Sequence, residues 1–484
     1  MNSDIVIKNF FWNLFERLGA QGVSFVVTII LGRLLEPEVY GTIALVTVIT
    51  SILQIFIDSG LGISLVQKKD ADDLDFSSVF YFNCIICIVL YLLLYISSPV
   101  IANFYQKSDL KEIIRVLGLV LIISGFKNIL ISYISKNFLF KKYFFATLTG
   151  TVTSAIVGII LALNGYGVWA LVLQNVINQA VDTIILWFST KWRPKYMFSF
   201  SRLRALFNYA WKIFLSSLLD GVWQHLNQFI IGKKYTTSDL AYYNKANQFP
   251  YSVTISITSS VNNILLPTMS KEQDRIDNIK YITSKAIKLE SYLLWPMMIG
   301  LAACSDNLVK FLLTEKWMPI VPYLRVFCIS YAFHPINSAN LNAIKALGRS
   351  DIFLKLEIIK KISGLITIII SMKYGVYAMA LGSLLNSLIS QIVNSYPNKK
   401  LLDYRYLDQI MDIAPSIIVS IIMGMFVYCI NLLKLEPFLL LIVQIVSGII
   451  IYIMLSLITK NESYEYCVNI LKRVLNKIRI GING

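Results

Sequence analysis

Apolar runs of about twenty residues, separated by short polar connections, recur along nearly the whole chain. A run of that length crosses the roughly 30 Å hydrocarbon core of a bilayer as a helix. Fourteen are found, at about 9–33, 38–66, 76–103, 111–135, 142–163, 167–190, 206–231, 240–268, 284–312, 321–346, 350–373, 375–397, 410–433 and 436–459. The pattern predicts an all-α polytopic membrane protein. Composition agrees, since 56% of the 484 residues are hydrophobic and 15% charged, against about 25% charged in soluble domains. The first run has full span length, follows only Lys8 and lacks a small-residue cleavage pattern, so it is expected to stay in the chain rather than act as a cleaved signal peptide.

The chain also repeats itself. FFWNLFERLGAQGVSFVVTIILGRLL at 10–35 is echoed by FNYAWKIFLSSLLDGVWQHLNQFIIGKK at 207–234, with Trp12 and Gly22 spaced like Trp211 and Gly221. GYGVWAL at 165–171 is echoed by KYGVYAM at 373–379. Two echoes in the same order, offset by 199 and 208 residues, predict a duplicated six-helix lobe: 1–200, then 201–405, followed by two extra helices and a basic tail in 406–484. Each lobe has an even number of helices. The copies are therefore expected to be parallel, related by an axis along the membrane normal, with a central cavity and the substrate path between them.

Charge then sets an orientation. The net charge of +16 suggests nucleic acid only until it is mapped. Lys and Arg gather in alternate connections, around Lys68, Lys136, Lys142, Arg193, Arg202 and Lys285, while the opposite connections hold few, among them Lys107, Lys233 and Lys316. That asymmetry places both termini in the cytoplasm.

Polar residues inside the apolar runs are the candidates for chemistry, because intramembrane charge usually faces a hydrated interior or a partner. On the first helix Arg17, Gln21, Ser24 and Thr28 follow one helical stripe, flanked by Glu16; on the seventh, Ser216, Asp220, Gln224 and Asn227 form another. Lys127, with Ser124 and Asn128, and Lys212 add cations. The substrate-binding set read from these stripes is Arg17, Gln21, Lys127, Lys212, Asp220 and Gln224. Asp58, Asp182 and Asp220 have no obvious cation at i±4 and are candidates for coupling to H⁺ or Na⁺. Bland readings stand beside these: Lys212 snorkels to the interface, Glu357 and Lys361 neutralise each other at i, i+4, and His225 and His334 are hydrogen-bonded packing residues. Cys84 and Cys87 have CxxC spacing but no second pair or nearby histidine, so they read as packing residues and no metal or other cofactor is expected. No GxxxxGK[ST] phosphate loop for ATP is present.

GRLLEPEVYGTIALVTVI at 32–49, DSGLGISLVQKK at 58–69, NQFIIGKKYTTSDLAYYNKANQFP at 227–250 and ILLPTMS at 264–270 resemble the polysaccharide-exporting branch of the multidrug/oligosaccharidyl-lipid/polysaccharide superfamily. Within it they are most similar to the Wzx and teichuronic-acid-type flippases, over the whole chain and its 6+6+2 helix plan. The resemblance implies a multi-pass protein of the bacterial cytoplasmic membrane that moves an undecaprenyl-pyrophosphate-linked oligosaccharide, such as an O-antigen, capsule or teichuronic-type repeat unit, from the inner to the outer leaflet by alternating access. It also implies a polymerase and other polysaccharide-assembly proteins as partners, and a transporter rather than an enzyme. Arg17 matches, by helix and depth, the cavity arginines with which related lipid II flippases hold pyrophosphate. Two other readings remain open: a cation-coupled multidrug extruder of the same fold, and a membrane O-antigen polymerase or ligase. The mixed signs of the interior charges weigh against the first, and the short outer connections against the second.

Overall fold

The computed structural model describes residue 19 and residues 22–58, 60–433 and 435–468, the side chain at 209 excepted. No strand occurs among the described residues. The helices are α1 (Gly22–Leu34), α2 (Pro37–Asp58), α3 (Leu61–Gln67), α4 (Asp73–Tyr105), α5 (Leu110–Lys136), α6 (Phe140–Leu163), α7 (Val168–Ser189), α8 (Phe200–Lys234), α9 (Thr237–Lys271), α10 (Ile276–Ala303), α11 (Ser305–Leu313), α12 (Ile320–Ala332), α13 (His334–Ala346), α14 (Ser350–Ser371), α15 (Val376–Ser395), α16 (Asn398–Leu401), α17 (Tyr406–Cys429) and α18 (Pro437–Ile458). Among the described residues, eight spans are long and apolar enough to cross a membrane, or nine when α10 and α11, bent by 69°, count as one.

Local chemistry explains where helices start and stop. Gly167 and Gly375 have φ of +53° and +106°, a region closed to most side chains, and each immediately precedes a helix beginning with Val. The GYGV and KYGV echoes are thus the same helix-starting turn used twice. Pro335 sits in the first turn of α13, where its missing N–H costs nothing, and this divides the apolar run 321–346 into two helices.

By packing, the chain forms two compact units, Met1–Ala241 and Tyr242–Gly484. The sequence repeat places α8 at the head of the second lobe; in this conformation α8 packs within the first unit. Its Phe214 meets Phe56 of α2 at 5.0 Å. At the other end of α2 a Cβ on Gly41 would stand 1.7 Å from the Thr237 carbonyl oxygen, so only glycine permits that approach.

The first unit is anchored on Trp192, in the connection between α7 and α8. Its ring lies 5.7 Å from Phe76 and 6.1 Å from Tyr133, within a core that includes Leu61, Leu65, Ile129 and Leu206. Its Nε1–H donates to Asp73 at 3.1 Å. The backbone N–H groups of Lys195 and Ser199 donate to Ser77 and Ser78 at 3.0 and 2.9 Å. Asp72 caps α4 by accepting the Asp75 N–H at 3.0 Å, and Asp75 reciprocates to the Asp72 N–H at 3.2 Å. The Asp75 N–H donor holds the Asp72 carboxyl below the usual carboxylate range. Cys87 of the CxxC spacing is buried beside Gly125, and both cysteines are free thiols.

In the second unit Ile279 and Ile287 of α10 pack with Ile336 and Ala339 of α13 and Ile413 of α17. A buried amide node ties four helices: Asn340 Nδ2 donates to Gln409 at 2.7 Å and Ser395 at 3.1 Å, and Asn398 Nδ2 donates to Asn340 Oδ1 at 2.5 Å. Farther along α10, Tyr452 of α18 donates its hydroxyl to the Tyr292 carbonyl at 2.7 Å.

Candidate functional site

α5 carries Lys127 and Asn128 at adjacent positions, about 100° apart around the helix, and so sends them in different directions. Lys127 Nζ reaches Asp182 Oδ2 at 2.6 Å and Gln179 Oε1 at 2.8 Å. Gln179 and Asp182 are i, i+3 on α7 and share the face that meets α5. The lysine and aspartate side chains are 13% and 2% exposed, which makes this a buried ion pair. Asp182 Oδ1 is also buried and has no hydrogen-bond partner among the described residues.

Asn128 turns to α2. Its Nδ2 donates to Asp58 Oδ1 at 2.6 Å, and Gln54 Nε2 donates to the same oxygen at 3.2 Å. Asp58 borders a cavity of about 380 Å³. The structure therefore gathers three of the sequence candidates, Lys127, Asp182 and Asp58, around α5. Together they carry one positive and two negative formal charges.

The remaining candidates lie elsewhere. Lys212, Asp220 and Gln224 are exposed on α8, and the Lys212 ammonium stands 6.0 Å from the Trp211 ring. Arg17 and Gln21, with Glu16, lie outside the described residues. His225 Nδ1 is 3.1 Å from Gln228 Oε1, and His334 Nδ1 is 3.4 Å from Thr258 Oγ1. Glu357 pairs with Lys360 at 2.5 Å.

Sequence reasoning passed over Gln179, Gln54 and Asn83, amides that complete these sites, and Glu290 on α10. Glu290 is fully buried, and neither carboxylate oxygen has a partner among the described residues. The second unit also holds an apolar cavity of about 550 Å³, bounded by Val253, Pro296, Met297, Met423, Leu441 and Ile449. Among the described residues no group of three His, Cys, Asp or Glu side chains is placed to hold a metal ion.

Comparison with known proteins gives a consistent result. The sequence profile of the family described as "Polysaccharide biosynthesis protein" matches residues 30–322. The chain is 26% identical over 309 residues to the teichuronic acid biosynthesis protein TuaB of Bacillus subtilis; the match spans 63% of this chain and 63% of TuaB. It is 22% identical over 363 residues to the succinoglycan biosynthesis transport protein ExoT of Rhizobium meliloti, spanning 75% and 74% of the two chains. With the lipopolysaccharide biosynthesis protein WzxC of Escherichia coli it shares 22% over 392 residues, spanning 79% and 78%. The fold is similar to that of the lipid II flippase MurJ in an inward closed conformation, with a TM-score of 0.74 at 20% identity over 94% of this chain and 98% of that one. It is also similar to an inward-facing MATE family multidrug resistance transporter of the MOP superfamily, with a TM-score of 0.61 at 15% identity over 81% and 94%. At these identities the two structures speak for the fold alone.

Proposed function

The chain belongs to the polysaccharide biosynthesis protein family, and from that premise we propose that it is a flippase carrying an undecaprenyl-pyrophosphate-linked oligosaccharide from the inner to the outer leaflet by alternating access. The observation that carries this reading is the chemical division of the interior. The first unit gathers a lysine, two carboxylates and amides around α5, and the second, taken by itself, holds a cavity walled almost wholly by apolar side chains.

The proposed substrate is an amphiphile. Its pyrophosphate diester bears about two negative charges and is held by charge-assisted hydrogen bonds from Lys or Arg. Lys127 uses two of its three N–H donors on Asp182 and Gln179 and keeps one for a phosphate oxygen; Arg17 and Lys212 are the other cations of the proposed path. Asn and Ser side chains supply partners for sugar hydroxyls, and the isoprenoid tail can stay in the bilayer. The energy is that of the substrate gradient or of an ion potential, with Asp58, Asp182 and Asp220 as the carboxylates able to couple it.

Deletion of the gene tests the proposal. Lipid-linked oligosaccharide should accumulate on the cytoplasmic leaflet while surface polymer falls. Polymer export at the parental level in the deletion strain would remove the reading, and glycan released from its carrier by the purified protein would replace it with a polymerase or ligase.

A further inference from the structure

Asp58 at the end of α2 and residues of α3, α4 and α5 border the cavity of about 380 Å³. Its wall has two chemistries. Ile63, Val66 and Ile131 form one part, while Asp58, Asn83 and Asn128, with the hydroxyls of Ser132 and Ser135, form the other.

The polar part has an excess of acceptors. Asn128 and Gln54 both donate to Asp58 Oδ1, which leaves Asp58 Oδ2 and Asn128 Oδ1 without a donor among the described residues. Asn83 is 1% exposed, and its buried Oδ1 has no partner among the described residues. Ser132 gives its proton to the Asn128 carbonyl at 3.1 Å, so its lone pairs are available. A ligand complementary to this wall brings donors. The volume falls in the range of about 300–1,000 Å³ typical of small-molecule pockets; a lone cation needs only a shell of oxygens at about 2.3–2.6 Å.

A pyranose has this complementarity, with a C–H face for the isoleucine and valine side chains and an edge of hydroxyl donors for the carboxylate and amides. We propose that the cavity is a monosaccharide subsite that holds one sugar residue of the translocated glycan, with Asp58 Oδ2 accepting from a sugar hydroxyl. The assignment rests on the flippase reading. The cavity lies beside Ser135 and Lys136, at the end of the unit that the Lys/Arg asymmetry assigns to the cytoplasm, where the glycan is loaded.

The test uses the full chain in nanodiscs and saturation-transfer NMR with glucose, galactose, mannose, rhamnose and N-acetylglucosamine as probes. At least one sugar should receive saturation from the wild-type protein. Asp58→Leu should weaken that binding about tenfold or more, the scale of one hydrogen bond to a charged group. Ile63→Trp fills the cavity from a residue already 56% exposed, so it keeps the test valid if Asp58→Leu fails to fold; it should abolish the signal. No binding by any probe overturns the proposal, as does equal binding by Ile63→Trp or binding of sodium ion alone. The two readings fail separately in cells. Full export by Ile63→Trp in a strain that requires the protein sinks only the subsite, whereas normal export by the deletion strain sinks the flippase reading.

Discussion

Lys127 and Asp182 give the account a quantitative handle. At 2.6 Å and an effective dielectric of about 20, their attraction is about 6 kcal/mol. Desolvation costs several kcal/mol per ion and offsets most of it. The intact pair is therefore near neutral for stability, but half of it is not: removing one partner leaves an uncompensated buried charge, at a cost of about 3–5 kcal/mol. Lys127→Met and Asp182→Leu should each lower the apparent unfolding midpoint and the membrane abundance. The double variant should recover to within about 1 kcal/mol of the wild type, because it replaces the pair by apolar volume. Thermal unfolding in detergent, abundance in membranes and polymer export are measured for all four proteins. If the Lys127 ammonium meets the pyrophosphate, the double variant is stable and fails to export. A loss in the double variant equal to the sum of the two single losses would refute the coupling, and full export by a stable double variant would remove Lys127 from the substrate path.

Three further outcomes follow from the packing. Gly41→Ala places a methyl group against the Thr237 carbonyl and should cost about 1–3 kcal/mol, read as a lower unfolding midpoint. Asp72→Ala should cost about 0.5–2 kcal/mol through loss of the α4 cap. Because the Asp72 carboxyl is held below its ordinary value, its contribution is present above an unfolded pKa of about 3.9 and is lost as the pH falls through the lower folded value, so the difference between wild type and variant should close in acid. Glu290→Gln removes a carboxyl that has no partner among the described residues and should melt no lower than the wild type, since an unpaired buried carboxylate opposes folding; a loss of several degrees would show that Glu290 holds a ligand or partner.

The helical plan was legible because its determinants are local. Apolar run length, Gly167 and Gly375 act within one turn of where they stand, so each expected run has helix in it, the first as far as it is described, from residue 22; the break at Pro335 inside the run 321–346 was not read from the sequence. What escaped was non-local. Lys127 and Asp182 each stood out as an intramembrane charge, but they are 55 residues apart and on different helices; a search for cations at i±4 treats them as two sites when they are one pair. Glu290 escaped for another reason: it follows Lys285 and Lys288 near the start of its run, where a charge reads as interfacial, and only the packing of α10 in the second unit shows it buried. The polar stripe of α8 was visible as periodicity, yet periodicity does not say what a stripe faces. Lys212, Asp220 and Gln224 are exposed within the first unit, while Ala210, Phe214 and Gly221 on another face meet α2 and its end.

Reconstitution measures the movement of a lipid-linked glycan across a bilayer. Full-length protein is placed in proteoliposomes with undecaprenyl-pyrophosphate-linked oligosaccharide, and the fraction of glycan reached by a membrane-impermeant oligosaccharide-modifying enzyme is followed with time. If the protein is a flippase, glycan initially shielded in the inner leaflet becomes accessible in its presence, the rate falls in the stable Lys127→Met/Asp182→Leu variant, and the glycan stays attached to its carrier. Accessibility no greater than in protein-free liposomes, with the protein folded and inserted, would contradict the flippase reading.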